Sequence, residues 1–365
     1  MPILTAVARK RLPTTARHVL TLMLETRVRT DVFHCNAAIS ACSKGQWQLA
    51  LNLLSIMPDM GIFRDTISYN SAISACEKAG QWQTALSLLS SLLDTRIVAD
   101  KISYNAAISA CGKEGQWQLA LSLLNSMPDM KLIPNTISCN AAVSALEKGG
   151  KWRLALSLLS RLPDMRLIPN EVTYSAAISA CEKAGQWQRA LSLLGIMPDL
   201  LVIPNTISYS AAISACEKAG QWELALSLLS CMPDLSLVRD KICFSAAISA
   251  CEKGGQWQLA LSLLNSMPHM KLIPNTISYS AAISACEKGG QWELALSLLS
   301  GMPDMKVMPN EISFSAAISA CEKAGQWQLA LSLLSSMPDM AVIPNEICYS
   351  AAISACEKGA CEEGG

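Results

Sequence analysis

Apolar and polar residues alternate along the chain with a helical rhythm. Within the segment from Thr276 to Asn310, Tyr279, Ala282, Ile283 and Cys286 stand at i, i+3, i+4 and i+7, the spacing that gathers side chains on one face of an α-helix. Ser280, Ser284, Glu287 and Lys288 fall on another stripe, which is expected to face water or a ligand. Gly289 and Gly290 are expected to close this first helix, because glycine readily takes the left-handed backbone of a C-terminal cap. A second helix opens near Gln291 and Trp292, with Trp292, Ala295, Leu296 and Leu299 on one stripe and Leu294 and Leu298 on another. A helix apolar nearly all round needs cover on several sides, so this one is expected to be wedged between its partner and the next hairpin. Met302-Pro303 and Pro309-Asn310 are expected to break it, since proline lacks an N–H and disfavours helix at the preceding residue.

This 35-residue block recurs from Val32 to Asn345 as nine units, the first of them one glycine shorter, and a tenth begins at Glu346. One hairpin cannot bury both faces of its second helix, so stability has to come from stacking neighbours in a nearly one-dimensional array. The expected fold is all-α, a right-handed α-solenoid of stacked helix-turn-helix repeats. Residues 1–31 form an N-terminal segment with a partial repeat, 32–345 the nine repeats, and 346–365 a partial tenth repeat and tail. Positions are numbered within a repeat from the residue after the Pro-Asn or Arg-Asp turn; the first helix is helix A and the second helix B.

Composition adds exclusions. Hydrophobic residues make up 51% of the chain and aromatic ones 5%, so the core is built of Leu, Ile, Ala, Met and Cys. With 29 basic and 29 acidic residues the net charge is zero, and any nucleic-acid contact must come from local placement. Nine of the fifteen cysteines recur at position 11 on the apolar face, as small core residues in a reducing compartment. No CxxC pair occurs and the histidines are three, His18, His34 and His269, so neither a metal site nor a cofactor is expected. Smooth apolar runs fall short of the ~20 residues a bilayer requires, which points to a soluble protein with no membrane partner. Arg9, Lys10, Arg11 and Arg17 precede the first acid, Glu25, the charge pattern of an organellar transit peptide, although from Ala16 onward the same segment reads as the second half of a repeat. The tenth repeat stops after helix A, so Ile353 and its neighbours are expected to be poorly covered, as in a fragment of a longer protein.

The period, the Ile-Ser-Tyr-Asn start of helix A, Cys-x-Lys-x-Gly at its end, the Ala-Leu-x-Leu-Leu of helix B and the closing Pro-Asn or Asp together resemble the pentatricopeptide repeat, over residues 32 to 356. The tetratricopeptide repeat places its Trp early in helix A, whereas here Trp47, Trp82, Trp117 and their equivalents through Trp327 open helix B. The resemblance implies an RNA-binding protein of organellar RNA metabolism that holds single-stranded RNA at one base per repeat, alongside other RNA-processing proteins. It further implies that position 5 and the last residue read the base edge. These pairs are Asn36 with Asp65 and Asn70 with Asp100, both resembling uridine readers; Asn105 with Asn135 and Asn140 with Asn170, resembling cytidine readers; Ser175 with Asn205 for adenine; and Ser210 with Asp240 for guanine. Ser245 with Asn275, Ser280 with Asn310 and Ser315 with Asn345 follow as adenine readers, giving a ligand like 5′-UUCCAGAAA-3′. Position 2 residues Ile67, Ile102, Ile137, Val172, Ile207, Ile242, Ile277 and Ile312 would sandwich the bases. Position 13 lysines Lys44, Lys78, Lys113, Lys148, Lys183, Lys218, Lys253, Lys288, Lys323 and Lys358 would approach the phosphates.

The residues permit plainer roles. Asn or Asp before a helix with Ser three residues on is ordinary capping chemistry. The lysines could be a solvated face, and Glu at position 12 in eight of the ten units offsets them, which implies modest affinity and a shallow salt dependence. The tryptophans read as packing residues. No sequence is left over for an appended catalytic unit, so an enzyme is not expected. A protein-binding scaffold is the alternative, but variation confined to positions 5 and 35 favours RNA.

Overall fold

The computed structural model describes residues 10, 12–25, 30–42, 46–95 and 97–363; Lys44 and the basic leader residues Arg9 and Arg11 lie outside them. Among the described residues there are twenty α-helices, three short 3-10 turns and no strand. The chain divides into two compact bodies, residues 1–180 and residues 181–365. The first opens with a helix, Pro13–Glu25, packed on helix A of repeat one, Val32–Ala41. Repeats two to nine have helix A from position 1 to 13 and helix B from position 17, as in Thr66–Lys78 with Trp82–Asp94 or Thr276–Lys288 with Trp292–Gly301, and the tenth is the single helix Glu346–Glu363.

Within each body helix A packs on the helices A before and after it and on helix B of its own repeat, while helix B touches its own helix A and the next. Helix A is therefore the more enclosed of the two. In repeat eight it buries Ser278, Tyr279, Ser280, Ala281, Ala282, Ile283, Ala285 and Cys286, whereas helix B buries Ala295 and Leu299 and leaves Leu294 39% exposed. The sequence reading had the all-round apolar helix B as the covered element. It is wedged as expected, but its outer stripe stays at the surface because no third layer covers it. A fully buried Ile or Leu contributes about 1.5–3 kcal/mol, and Ile73, Ile108, Ile178, Ile213, Ile248, Ile283 and Ile318 at position 8 are all completely buried.

The turns follow backbone chemistry. Position 15 glycine adopts φ +66° to +72° from Gly80 through Gly325, and the next N–H closes on position 11, as from Gln81 N–H to the Cys76 carbonyl at 2.9 Å. Position 14 does something else. A Cβ on Gly254 or Gly289 would lie 2.3 Å from Cδ1 of the preceding repeat's tryptophan, Trp222 or Trp257, so the half-buried indole packs across the repeat boundary onto this glycine.

Position 28 proline ends the α-helix in most repeats: helix B stops at position 26 in Trp47–Ile56, Trp117–Ser126, Trp152–Arg161, Trp222–Cys231, Trp292–Gly301 and Trp327–Ser336, and runs to position 29 in Trp82–Asp94, where Leu93 replaces the proline. Pro198 and Pro268 instead sit inside helices Trp187–Asp199 and Trp257–His269, and Pro233, Pro303 and Pro338 start a 3-10 turn. The chain turns at position 31, in left-handed conformation at Lys131, Arg166, Leu201, Ser236, Lys271, Lys306 and Ala341, and the following N–H returns to position 27, as from Leu132 to Met127 at 2.9 Å. A proline in a last turn interrupts little, because few intrahelical bonds remain there to lose.

Candidate nucleic-acid interface

The start of helix A carries the candidate residues. Position 2 is exposed in every repeat assigned to it: Ile67, Ile102, Ile137, Val172, Ile207, Ile242, Ile277 and Ile312 lie at 50–63% accessibility. Phe33 and Ile347 continue the series at 61% and 62%. The sequence reading passed over these two, although the same period places them at position 2. These residues form a regular series of exposed aliphatic side chains on an otherwise close-packed helix.

Position 5 is where the structure corrects the sequence reading. It was assigned to a stripe facing water or ligand, yet Asn36, Asn70, Ser175, Ser210, Ser245 and Ser280 are only 5–7% exposed, and Asn105, Asn140 and Ser315 are half-buried. Helix A of the next repeat stacks over this position and brings position 3 of that helix against it. What remains exposed is an edge.

At that edge position 5 meets the last residue of its own repeat. Asn36 Nδ2 donates to Asp65 Oδ1 at 3.1 Å, Asn70 Nδ2 to Asp100 Oδ1 at 3.0 Å, Asn105 Nδ2 to Asn135 Oδ1 at 3.3 Å and Asn140 Nδ2 to Asn170 Oδ1 at 3.1 Å. Ser245 and Ser280 hydroxyls donate to Asn275 and Asn310 at 3.3 and 3.1 Å. The Ser175, Ser210, Ser245 and Ser315 hydroxyls also turn back onto carbonyls of their own helix, at 2.7, 2.7, 2.8 and 3.1 Å.

The capping role of the last residue is present as well. Asp65, Asp100, Asn135, Asn170, Asn205, Asp240, Asn275, Asn310 and Asn345 each accept the backbone N–H of position 3 in the following helix, at 2.8–3.1 Å. Burial pushes the Asp65 carboxyl up, but the Ser68 N–H, the Ser68 hydroxyl and the Asn36 amide outweigh that and hold it below the usual carboxylate range.

The lysine series is tethered. Lys113, Lys218, Lys253, Lys323 and Lys358 pair with Glu77, Glu182, Glu217, Glu287 and Glu322 of the preceding repeat at 3.0, 2.5, 2.5, 2.6 and 2.9 Å, and Lys288 pairs with Glu252. Lys148 has Gly112 where that glutamate would stand, and its ammonium donates to the Lys113 carbonyl at 2.7 Å. Six lysines of the ladder thus stand in ion pairs across repeat boundaries, which the sequence had suggested only through the count of glutamates.

These positions meet in space. A concavity of about 370 Å³ in the first body is lined by Ile67 and Ile102, Asn70 and Asp100, Lys78, Ser40, Ser71 and Ser74. It thus joins position 2 of two successive repeats, one position 5 and 35 pair, and one position 13 lysine. A hollow of about 380 Å³ in the second body is lined by position 2 and position 5 of the tenth repeat, Ile347 and Ser350, with Glu322 in place of a lysine. Among the described residues no cluster of His, Cys, Asp and Glu could hold a metal ion, and no helix is long and apolar enough to cross a membrane.

Family models place the chain. One described as a pentatricopeptide repeat-containing protein matches residues 1–127, the PPR repeat matches 172–200, 207–237, 242–272 and 312–341, and the pentatricopeptide repeat domain matches 122–184 and 262–323. The chain belongs to the pentatricopeptide repeat family. Comparison with curated protein sequences gave no match. Among solved structures, the pentatricopeptide repeat protein PPR10 in complex with an 18-nt psaJ RNA element superposes with a TM-score of 0.72 at 16% identity, covering 97% of this chain and 57% of that one. PPR10 from maize superposes with a TM-score of 0.59 at 21% identity, covering 98% of this chain and 51% of that one. The all-α repeat fold of this pentatricopeptide repeat chain is therefore that of a known helical solenoid, and the chain spans little more than half of that protein's length.

Proposed function

We propose that the chain binds single-stranded RNA through one pocket per repeat, reading a ligand like 5′-UUCCAGAAA-3′ without catalysing a reaction on it. The hollow lined by Ile67, Ile102, Asn70, Asp100 and Lys78 carries this reading, because it offers two apolar walls, a polar floor and a cation together. A base is a flat apolar ring with a hydrogen-bonding edge and an anionic backbone, and unpaired bases are the part of RNA that side chains can reach.

The hydrogen bonds already made support a different base edge for each kind of repeat. Asn70 has two N–H donors and one carbonyl; Asp100 takes one N–H and Ser103 donates to the carbonyl at 2.6 Å, leaving one N–H for a base. Asp100 can only accept. A donor beside an acceptor matches the O4 and N3–H of uracil. With Asn135 in place of aspartate, its carbonyl oxygen is occupied by the Ser138 N–H and its amide donors remain, so two donors face N3 and O2 of cytosine. In the serine repeats the hydroxyl proton is spent on the helix or the last residue, and its lone pairs accept. An acceptor with Asn matches N6–H and N1 of adenine, and an acceptor with Asp matches N1–H and N2–H of guanine.

Fluorescence anisotropy with UUCCAGAAA and a scrambled oligoribonucleotide tests this. Tighter binding of the first supports it; equal, millimolar affinities would replace it with a protein-binding scaffold. An organellar address rests on the basic residues before Glu25 and is tested by import of a fluorescent fusion.

A further inference from the structure

We propose that the residue at position 3 of each following repeat is a third specificity determinant, a positioning residue that fixes which atoms of position 5 are presented to the base. The inference rests on the base-reading role proposed above and deepens it.

An asparagine amide is nearly symmetric, and only its neighbours decide which end is oxygen. Position 3 supplies that decision. Ser68 Oγ donates to Asn36 Oδ1 at 2.6 Å, Ser103 Oγ to Asn70 Oδ1 at 2.6 Å and Thr173 Oγ1 to Asn140 Oδ1 at 2.5 Å, each a shorter contact than the 2.8–3.0 Å that separates the same hydroxyl from Oδ1 of Asp65, Asp100 or Asn170, with which its proton is shared. These three hydroxyls are completely buried, so the bond is shielded from water. The hydroxyl holds the amide oxygen inward and turns the amide nitrogen toward position 35 and the pocket. Without it, the amide could present oxygen instead, and donor and acceptor at the pocket edge would exchange.

Other repeats lack this arrangement: Ser313 turns its hydroxyl onto Asn310, at 2.8 Å to the carbonyl and 3.0 Å to Oδ1, and Cys348 stands at position 3 after Ser315. Ser138 turns its hydroxyl onto Asn135, at 2.8 Å to the carbonyl and 3.1 Å to Oδ1, and Asn105 Oδ1 is left buried with no partner among the described residues. In repeat seven position 3 is Cys243, whose sulfur lies 3.0 Å from Ser210 Oγ and offers only a weak S–H donor. The repeats are therefore unequal readers. Selectivity should be sharp at bases one, two and four and blunt at bases three, six, eight and nine.

The test measures anisotropy of the full chain with UUCCAGAAA oligoribonucleotides carrying each single-base replacement, for the natural protein, Ser103→Cys and Ser103→Thr. Cysteine is a safe replacement, because Cys243 and Cys348 occupy this position natively. Ser103→Cys should lower the preference for U over C at the second base about tenfold, the effect of losing one orienting hydrogen bond. Preferences at bases one and four should be unchanged, and Ser103→Thr should retain the natural ratio. An unchanged ratio in Ser103→Cys, with only the melting temperature lowered, makes position 3 a cap and overturns the inference. A natural protein with no preference at any base overturns the base-reading proposal itself, and this inference with it.

Discussion

At the scale of single residues, the chemistry of the interface is that of neutral amides, a few carboxylates and buried thiols. Asp65 is the most informative of these. Its folded pKa lies below the ordinary value of about 4, so the carboxylate form is favoured by folding and contributes stability at neutral pH, which is lost as pH falls through the carboxylate range. Asn caps the same turn in other repeats, so Asp65→Asn should leave stability at pH 7 within about 1 kcal/mol and flatten its decline between roughly pH 5 and 3, measured by urea unfolding. Burial raises the position 11 thiols from Cys42 through Cys321 to about 11, so they stay protonated and unreactive. Of the cysteines whose side chains are described, Cys231 alone is exposed, and a thiol reagent should modify it well before the buried ones, which should react only on unfolding; peptide mass mapping distinguishes the two.

At the scale of helices and turns, what was local in sequence was legible. Tyr279, Ala282, Ile283 and Cys286 mark the core face of helix A because the i, i+3, i+4 pattern needs no knowledge of neighbours, and the position 15 glycine marks its end for the same reason. What depended on the next repeat was not legible. Asn70 is covered by Ser103, 33 residues further on, so its burial could not be read from its own helix. The position 28 proline was legible as a stop in six repeats, while Pro198 and Pro268 are carried in a last turn because little helix follows them. The paired glycines illustrate the distinction. Gly290 at φ +68° has nothing within 4 Å, so Gly290→Ala should cost about 1–2 kcal/mol of backbone strain alone. Gly289 packs on Trp257, but Ala79, Ala184, Ala219 and Ala324 fill the same position elsewhere, so Gly289→Ala should cost less and instead shift the tryptophan fluorescence. Urea titrations of the two variants check the order.

At the scale of the whole molecule, the zero net charge is reproduced locally as ion pairs between successive repeats, so the lysine series adds cohesion as well as charge. Such half-exposed pairs each contribute at most about 1 kcal/mol, and a phosphate can compete for the lysine only against its glutamate. Lys148 has no such competitor, so Lys148→Ala should reduce the salt dependence of RNA binding by about 0.7 in log–log slope while Lys253→Ala changes it less, measured by anisotropy between 50 and 200 mM salt. The central claim is that each position 5 and 35 pair selects one base, whatever bases the other pairs select. It is tested most directly by exchanging a reader and its base together. Asn70→Ser leaves a Ser and Asp100 pair like that of Ser210 with Asp240, so it should weaken binding of UUCCAGAAA, restore it with UGCCAGAAA and leave the effect of replacing any other base as it was. Binding that is indifferent to the second base, or that a compensating change elsewhere in the oligonucleotide restores equally well, would contradict the account.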